Sequence, residues 1–414
     1  MTDGAHLGNA AWLKAPEIAR LLALLDCDGE EARVVGGAVR NALMDLPVGE
    51  IDVATTAVPQ EVERRVEAAG FKTKPTGIEH GTVTAITDGR PFEVTTLRQD
   101  VETFGRKAKV VFGRDWKADA ERRDFTINAL SVSADGKIYD YAGGLADIAA
   151  RRVRFIGDPA QRIAEDYLRI LRFFRFHACY GEGAPDAAGL YACIAARAGL
   201  DTLSRERVRT ELLKLLLAPH ATPTLAVMAE AGLLGTVLGG VPLLASFENM
   251  VKAEAAIGVE AEPTRRLGAL GVYVMEDAER LSQRLRLSNV EFERLMALEY
   301  WWRVRPTAGE HAARVLLYQL GPASFTDRVL VAWSRSDAGA DDHAWHELAT
   351  LPQRWTAPRF PLKGADFSSR GVPKGPEMGA ALRAAEQAWI DADFPTEAAA
   401  IETIAEQVAQ DLSK

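Results

Sequence analysis

Two acidic side chains are spaced to hold a cation. Glu50 and Asp52 flank Ile51 in the run GEIDVATT. Side chains on a strand alternate between its faces, so the two carboxylates share one face and Ile51 turns toward a core. Carboxylates placed side by side repel unless a cation lies between them. Just upstream, the apolar Val34-Val35 is followed by Gly36-Gly37 and by a short helical pattern over Ala38–Met44, with Arg40 inside it. A Gly-Gly turn that opens a helix offers backbone N–H groups and room for a phosphate. Taken singly, the glycines read as a packing turn and the acids as a solvated face. On one short stretch they combine a metal site with a phosphate site, as phosphoryl or nucleotidyl transfer requires.

Two further stretches carry chemistry-bearing residues. The β-like runs GTVTAIT (81–87) and PFEVTTL (91–97), joined by Asp88-Gly89, read as a hairpin. It brings in Glu93, either a third acid at the metal or a cross-strand partner on an exposed face. His80, just before it, reads as a loop histidine. In IAEDYLRILRFFRFHA (163–178), Tyr167, Ile170, Leu171 and Phe174 form an inward helical stripe. Asp166, Arg169, Arg172 and Arg175 step by three, which makes a slanting charged strip in which Asp166 and Arg169 can pair, as can Glu165 and Arg169.

GGAVRNALMD…EIDVATTA resembles the signature of the class II tRNA nucleotidyltransferase (CCA-adding enzyme) and bacterial poly(A) polymerase family: Gly-Gly-x-Val-Arg-Asp, then Asp-x-Asp on the next strand. The chain departs twice, with Asn41 for the family's Asp and Glu50 for its first Asp. ERRDFTINAL (121–130) resembles the second motif, Arg-Arg-Asp-Phe-Thr-x-Asn-Ala. EDYLRILRFFRF resembles Glu-Asp-x-x-Arg, and SRERVRTELLKLL (204–216) continues the likeness. The resemblance implies two-metal nucleotidyl transfer, with Mg²⁺ on the catalytic Glu50 and Asp52. It implies nucleotide contacts from Gly37, Arg40, Arg123, Asp166, Arg169, Arg172 and Arg175. Asp166 and Arg169 would read the base edge of CTP or ATP, the Asp accepting from the exocyclic amino group and the Arg donating to ring acceptors. Arg172 and Arg175 would support that edge or bind phosphate and ribose. Arg207 and Glu211 read as braces of the neck, and Asp124 and Asn128 as groups that hold their segment in place. The implied reaction is addition of CCA to tRNA 3′ ends. Its alternatives are poly(A) or CC-only addition on the same fold, or an inactive RNA-binding homologue. The glycine-containing link 98–123 matches the family's flexible loop, associated with the switch from C to A addition.

The elements that must position these groups give an α+β fold: an N-terminal nucleotidyltransferase head with a small mixed β-sheet, then an all-helical neck, body and tail. Residues 11–25 and Pro59–Gly70 read as helices, the second inside the head, and IYDY (138–141) with Gly143-Gly144 closes the head. The expected parts are an N-terminal helix (1–27), the catalytic head (28–147), the neck (148–218), a body (219–300) and a tail (301–414). Helices beyond the head are separated by Pro/Gly breaks near 181–185, 239–242, 258–263, 305–309, 352–361 and 371–379. The 414 residues are 48% hydrophobic, enough for several cores. A net charge of −9 argues against an indiscriminate nucleic-acid binder, yet 98–123 carries +3 and 151–175 carries +4, a basic cleft for nucleotide and tRNA phosphates. No long apolar run or signal peptide is visible, and Cys27, Cys179 and Cys193 have no metal-ligand spacing. A cytoplasmic protein with no membrane association and no implied protein partner is expected. Trp301-Trp302 reads as core or interface rather than an RNA platform, and His343 and His346 lack a ligand cluster.

Overall fold

A computed structural model describes residues 6–77, 81–104 and 107–412. The N-terminal part contains α1 (Pro16–Leu25), β1 (Ala32–Val35), α2 (Gly37–Leu43), β2 (Asp52–Thr55), α3 (Pro59–Ala68), β3 (Lys72–Gly77), β4 (Thr82–Thr87) and β5 (Arg90–Thr96). It continues through β6 (Arg98–Phe104), β7 (Lys107–Phe112), α4 (Trp116–Glu121), β8 (Leu130–Val132), β9 (Ile138–Asp140) and α5 (Gly144–Ala149). Seven strands form one sheet in the order β3-β4-β5-β2-β1-β8-β9. Among the described strands, β2 and β5 run parallel and the other sheet neighbours antiparallel. The α+β expectation is met.

Local chemistry explains the boundaries. Pro16 starts α1, one turn later than the 11–25 periodicity suggests, because proline suits a first turn where no N–H is needed. Asp88 (φ 51°) and Gly89 (φ 83°) both adopt left-handed backbone, the signature of a two-residue hairpin turn. Val34, Val53, Val83, Phe92 and Val94 are buried in the sheet, and Ile18, Leu21 and Leu22 of α1 with Val62 and Val66 of α3 complete the core. Polar β3, with Lys72, Lys74 and Pro75, lacks an apolar alternation and occupies a sheet edge, where proline and lysine are tolerated.

The link 98–123 is not a structureless connection. β6 and β7 pair as a separate two-stranded ribbon, from Arg98↔Phe112 to Phe104↔Lys107, and α4 follows. A ribbon that forms its own sheet has no need of the apolar alternation that marks a core strand. His80 and Gly105 lie outside the described residues.

After α5 come α6 (Pro159–Glu165) and α7 (Leu168–Tyr180), followed by α8 (Ala187–Ala195) and α9 (Arg205–Leu216). The single helix expected over 163–178 is interrupted at Asp166, whose φ of −156° and ψ of 106° are extended. Phe125 packs 4.9 Å from Phe155 and 5.0 Å from Phe176, and Phe155 stacks on Phe173 at 5.3 Å. This cluster fixes the ERRDFTINAL segment against α7.

The chain packs as two compact units. One runs to Pro242 and includes Arg284–Arg286; the other comprises Leu243–Gln283 and the residues from Leu287 onward. The second unit is helical. Its interior holds Glu254 and Asp327, which accept ion pairs from Arg265, Arg266 and Arg294. A break missed by the sequence reading lies at Gly321 (φ 72°), ahead of Pro322, inside Glu310–Ser334. No described helix is long and apolar enough to cross a membrane.

Candidate active site

Parallel pairing places Asp52 opposite Glu93. Ile51 and Val53 are buried, while Asp52 and Glu93 are exposed. The expected alternation therefore holds around Asp52, but β2 starts at Asp52, and Glu50 sits in the segment leading into it. Although its side chain reaches solvent, the protein packed around Asp52 strips part of its hydration and raises its pKa; Glu93 and Glu50 add to the rise and Arg123 opposes it. These charges act on one another, so Glu93 belongs to the acid face. Among the described residues, no three His, Cys, Asp or Glu side chains close a metal cage.

The turn before α2 depends on Gly36, whose φ of 71° and ψ of −124° suit glycine. Its N–H donates to the Leu130 carbonyl at 3.1 Å, tying the turn to β8. Gly37 opens α2. Arg123 lies beside the turn: a Cβ on Gly36 would stand 3.3 Å from its Nη1. Its Nη2 donates to Asp119 at 3.2 Å and its Nη1 to the Asn128 carbonyl at 3.3 Å. Arg162 donates to the carbonyls of both Arg122 and Arg123, which fixes the backbone under this arginine.

Arg40, expected at a phosphate, is instead buried and occupied. It donates to Asn128 Oδ1 at 2.6 Å, to the Tyr180 hydroxyl at 2.7 Å and to Asn41 Oδ1 at 2.8 Å. Its guanidinium also lies over the Tyr180 ring at 3.8 Å. Burial lowers its pKa, against the raising effect of Tyr180. Arg40 thus joins α2, the second motif and the end of α7. Asn41 donates to the Pro47 carbonyl at 2.9 Å, so it also fixes the loop that approaches Glu50.

The charged strip of the neck pairs differently from the helical reading. Because the helix breaks at Asp166, this carboxylate does not pair with Arg169. Its Oδ1 accepts the Leu168 N–H at 3.1 Å and its Oδ2 accepts from Arg207 at 2.6 Å. Arg169 pairs with Glu165 at 2.5 Å and donates to the Arg162 carbonyl. Arg172 pairs with Asp124 at 2.6 Å, and Arg175 with Glu211 at 2.5 Å. Burial pushes the Asp124 carboxyl up, but Arg172, Asn128 and the Phe125 N–H outweigh it and hold the pKa below the usual range. Arg172 and Arg175 therefore brace the strip, while Asp166 and Arg169 sit half-buried at its start.

A sequence model of the "Poly A polymerase head domain" matches residues 32–154, and one described as "Probable RNA and SrmB- binding site of polymerase A" matches 190–247. The mitochondrial CCA tRNA nucleotidyltransferase 1 of Mus musculus is 34% identical over 87% of this chain and 83% of its own length. A CCA-adding enzyme of Limosilactobacillus fermentum is 33% identical over 87% of this chain and 89% of its own. This chain belongs to the CCA-adding enzyme family. The crystal structure of the Bacillus stearothermophilus CCA-adding enzyme in complex with CTP superposes with a TM-score of 0.77 at 29% identity, covering 96% of this chain and 98% of that one. Membership carries dependence on a divalent metal. The head match spans the acid face, Gly37, Arg40 and Arg123; the second match spans Arg207 and Glu211.

Within this family frame, Tyr180 and the helix break at Asp166 were missed. The Tyr180 contact with Arg40 joins residues far apart in sequence, and the Asp-Tyr step had no breaker residue to mark it. Trp301 donates its indole N–H to the Tyr273 carbonyl at 3.1 Å and lies under Arg335 at 4.7 Å, a packing role. Trp302 is exposed, so the core reading does not hold for it.

Proposed function

We propose that this protein adds CCA to the 3′ end of tRNA from CTP and ATP, without a nucleic-acid template and with release of pyrophosphate. The carrying observation is the acid face, Asp52 opposite Glu93 with Glu50 and Arg123 acting on it. An aspartate with acidic neighbours on the same face fits a divalent cation. Its hard oxygen donors suit Mg²⁺, which takes one or two protein carboxylates and completes its shell with water and phosphate oxygens. Glu50 and Asp52 would hold it, with Glu93 beside them. Bound there, Mg²⁺ would supply charge neutralisation for the transferring phosphoryl group and activation of the RNA 3′-hydroxyl.

The chain's own groups do the positioning. The Gly37 backbone and Arg123 receive the triphosphate, and Arg40 keeps the turn and α7 in register. Asp166 accepts from the amino group of cytosine or adenine, and Arg169 donates to the ring. UTP and GTP carry a carbonyl at the equivalent position, which an acceptor-only carboxylate meets with repulsion. Arg172 and Arg175 hold this edge through Asp124 and Glu211. The five-part division into N-terminal helix, head, neck, body and tail is the domain scheme we propose, and the cytoplasm is the proposed location.

The test is incorporation of labelled CTP and ATP into tRNA lacking CCA, with Mg²⁺ and with chelator. The expected product carries all three nucleotides and appears only with metal. Binding of tRNA without incorporation would leave an inactive RNA-binding homologue, and a product ending at CC would leave the CC-only reading.

A further inference from the structure

Asp166 lies at a joint. Glu165 ends α6 and Leu168 begins α7, so the extended Asp166 backbone lies outside both helices. A side chain at such a joint points as its partners dictate. Two of them are visible: the Leu168 N–H on Oδ1 and the Arg207 guanidinium on Oδ2. The second comes from another helix. Arg207 is in the first turn of α9, where its own N–H donates to the Ser204 carbonyl at 3.1 Å. Glu211 stands one turn later on the same helix and takes Arg175 at 2.5 Å and Arg172 at 3.6 Å. Residues four apart share a helix face. One face of α9 therefore presents a cation to Asp166 and an anion to the arginines of α7.

Resting on the proposed base-reading role of Asp166, we propose that Arg207 is a specificity-positioning residue: by gripping Oδ2 it aims the carboxylate so that Asp166 can only accept a hydrogen bond from the incoming base. An ionised carboxylate has acceptors and no donor. Held from two sides, it keeps lone pairs for an amino hydrogen and meets the carbonyl of uracil or guanine with repulsion. Released from Arg207, it swings, loses alignment with cytosine and adenine, and no longer repels the wrong base from a fixed point. A brace that only stabilised the neck would lower turnover with every nucleotide alike.

The experiment measures kcat and KM for single-nucleotide addition with CTP and UTP on tRNA lacking CCA. Arg207→Ala is expected to raise the KM for CTP and to lower CTP-over-UTP discrimination about ten- to a hundredfold, the worth of an aligned hydrogen bond to a charged group. Arg207→Lys keeps the charge without the planar fork and should recover part of the discrimination, which also serves if the alanine variant folds poorly. Glu206→Gln, an exposed residue of the same helix paired outward with Arg286, should leave the CTP-to-UTP ratio unchanged. In the double variant Asp166→Ala/Arg207→Ala, discrimination should equal that of Asp166→Ala alone, because Arg207 acts through Asp166. Loss of kcat shared equally by CTP and UTP in Arg207→Ala and Arg207→Lys would overturn the inference. If Asp166→Ala discriminates as the parent does, the base-reading role itself fails; if Asp166→Ala loses discrimination and Arg207→Ala does not, only the inference fails.

Discussion

Adding one methyl group to each of the two adjacent glycines should have opposite consequences. Gly36 has φ 71° and ψ −124°, and an L-residue there is strained whatever the space around it. Such conformations cost about 1–3 kcal/mol per residue. The added Cβ would also stand 3.3 Å from Arg123 Nη1. That contact is tight but relieved by a small shift of a flexible tip, so backbone strain is the larger effect. At about 2–4 °C per kcal/mol for a unit of this size, Gly36→Ala should lower the melting temperature by about 2–12 °C. Gly37 is the first residue of α2, and its Cβ would meet Arg40 Nη2 at an ordinary 3.6 Å. Where the backbone is compatible, Gly→Ala gains about 0.4–1 kcal/mol by restricting the unfolded chain. Scanning calorimetry on both variants reads the difference. Incorporation should fall in Gly36→Ala beyond the unfolded fraction, because the displaced Arg123 tip acts on Asp52; Gly37→Ala should show its effect in the KM for nucleotides. A Gly36→Ala melting point within about one degree of the parent, or a larger loss in Gly37→Ala, would refute the strain argument.

Asp52→Ala should abolish incorporation and leave the far-UV spectrum unchanged, since the side chain faces solvent; Glu50→Asp, which restores the family's residue, should retain measurable turnover. The Asp52 pKa is raised in the folded protein above the ordinary 3.8, so its ionised form costs stability, in full above the folded pKa and not at all below the unfolded one. Metal-free Asp52→Asn should therefore melt higher than the parent at neutral pH, with the gain vanishing as pH falls through the folded pKa of Asp52 in a pH series of thermal melts. Glu254→Ala removes the buried carboxylate shared by Arg265 and Arg266 and should cost about 3–5 kcal/mol, read by urea unfolding. Replacing residues 100–110 by Asn-Gly keeps the pairs Arg98↔Phe112 and Gln99↔Val111 around a two-residue loop. The shortened ribbon should still add C and stop before the terminal A; equal loss of both steps, seen on a sequencing gel, would make the ribbon merely structural.

The head was largely legible because its signals are local. Gly36-Gly37, the alternation of buried Ile51 with outward Asp52 and the Asp88-Gly89 turn each follow from residues next to one another, whereas Glu50 falls outside the strand that its spacing predicts. Glu93 could be placed on the right strand face but not opposite Asp52, because parallel register is set by a crossover that no short window contains. The helix break at Asp166 was hidden, since an apolar stripe and a row of charges continue across it with neither Gly nor Pro. Arg40 falls among the nucleotide contacts that the resemblance implies, and its buried partners, Asn128 and Tyr180, have no local sign because they come from distant segments. The pairings of Arg172 and Arg175 were invisible for the same reason, although Glu211 had been singled out on the correct helix.

The parallel contact between β2 and β5 also bears on how this molecule acquires activity during folding. Each hairpin in the sheet can zip from its own turn, but Asp52 meets Glu93 only across the α3, β3 and β4 segments that separate their strands in sequence. Closing such a connection costs chain entropy before any contact rewards it, and nonlocal pairing of this kind is slow. The acid face is therefore expected to assemble after β4 and β5 have formed, with Arg123 supplied by a still later segment. A nascent chain that has not passed residue 123 lacks the cation opposing the acids. Competence to hold a metal thus matures in step with the topology, and refolding followed by metal-dependent turnover should lag behind refolding followed by β-structure.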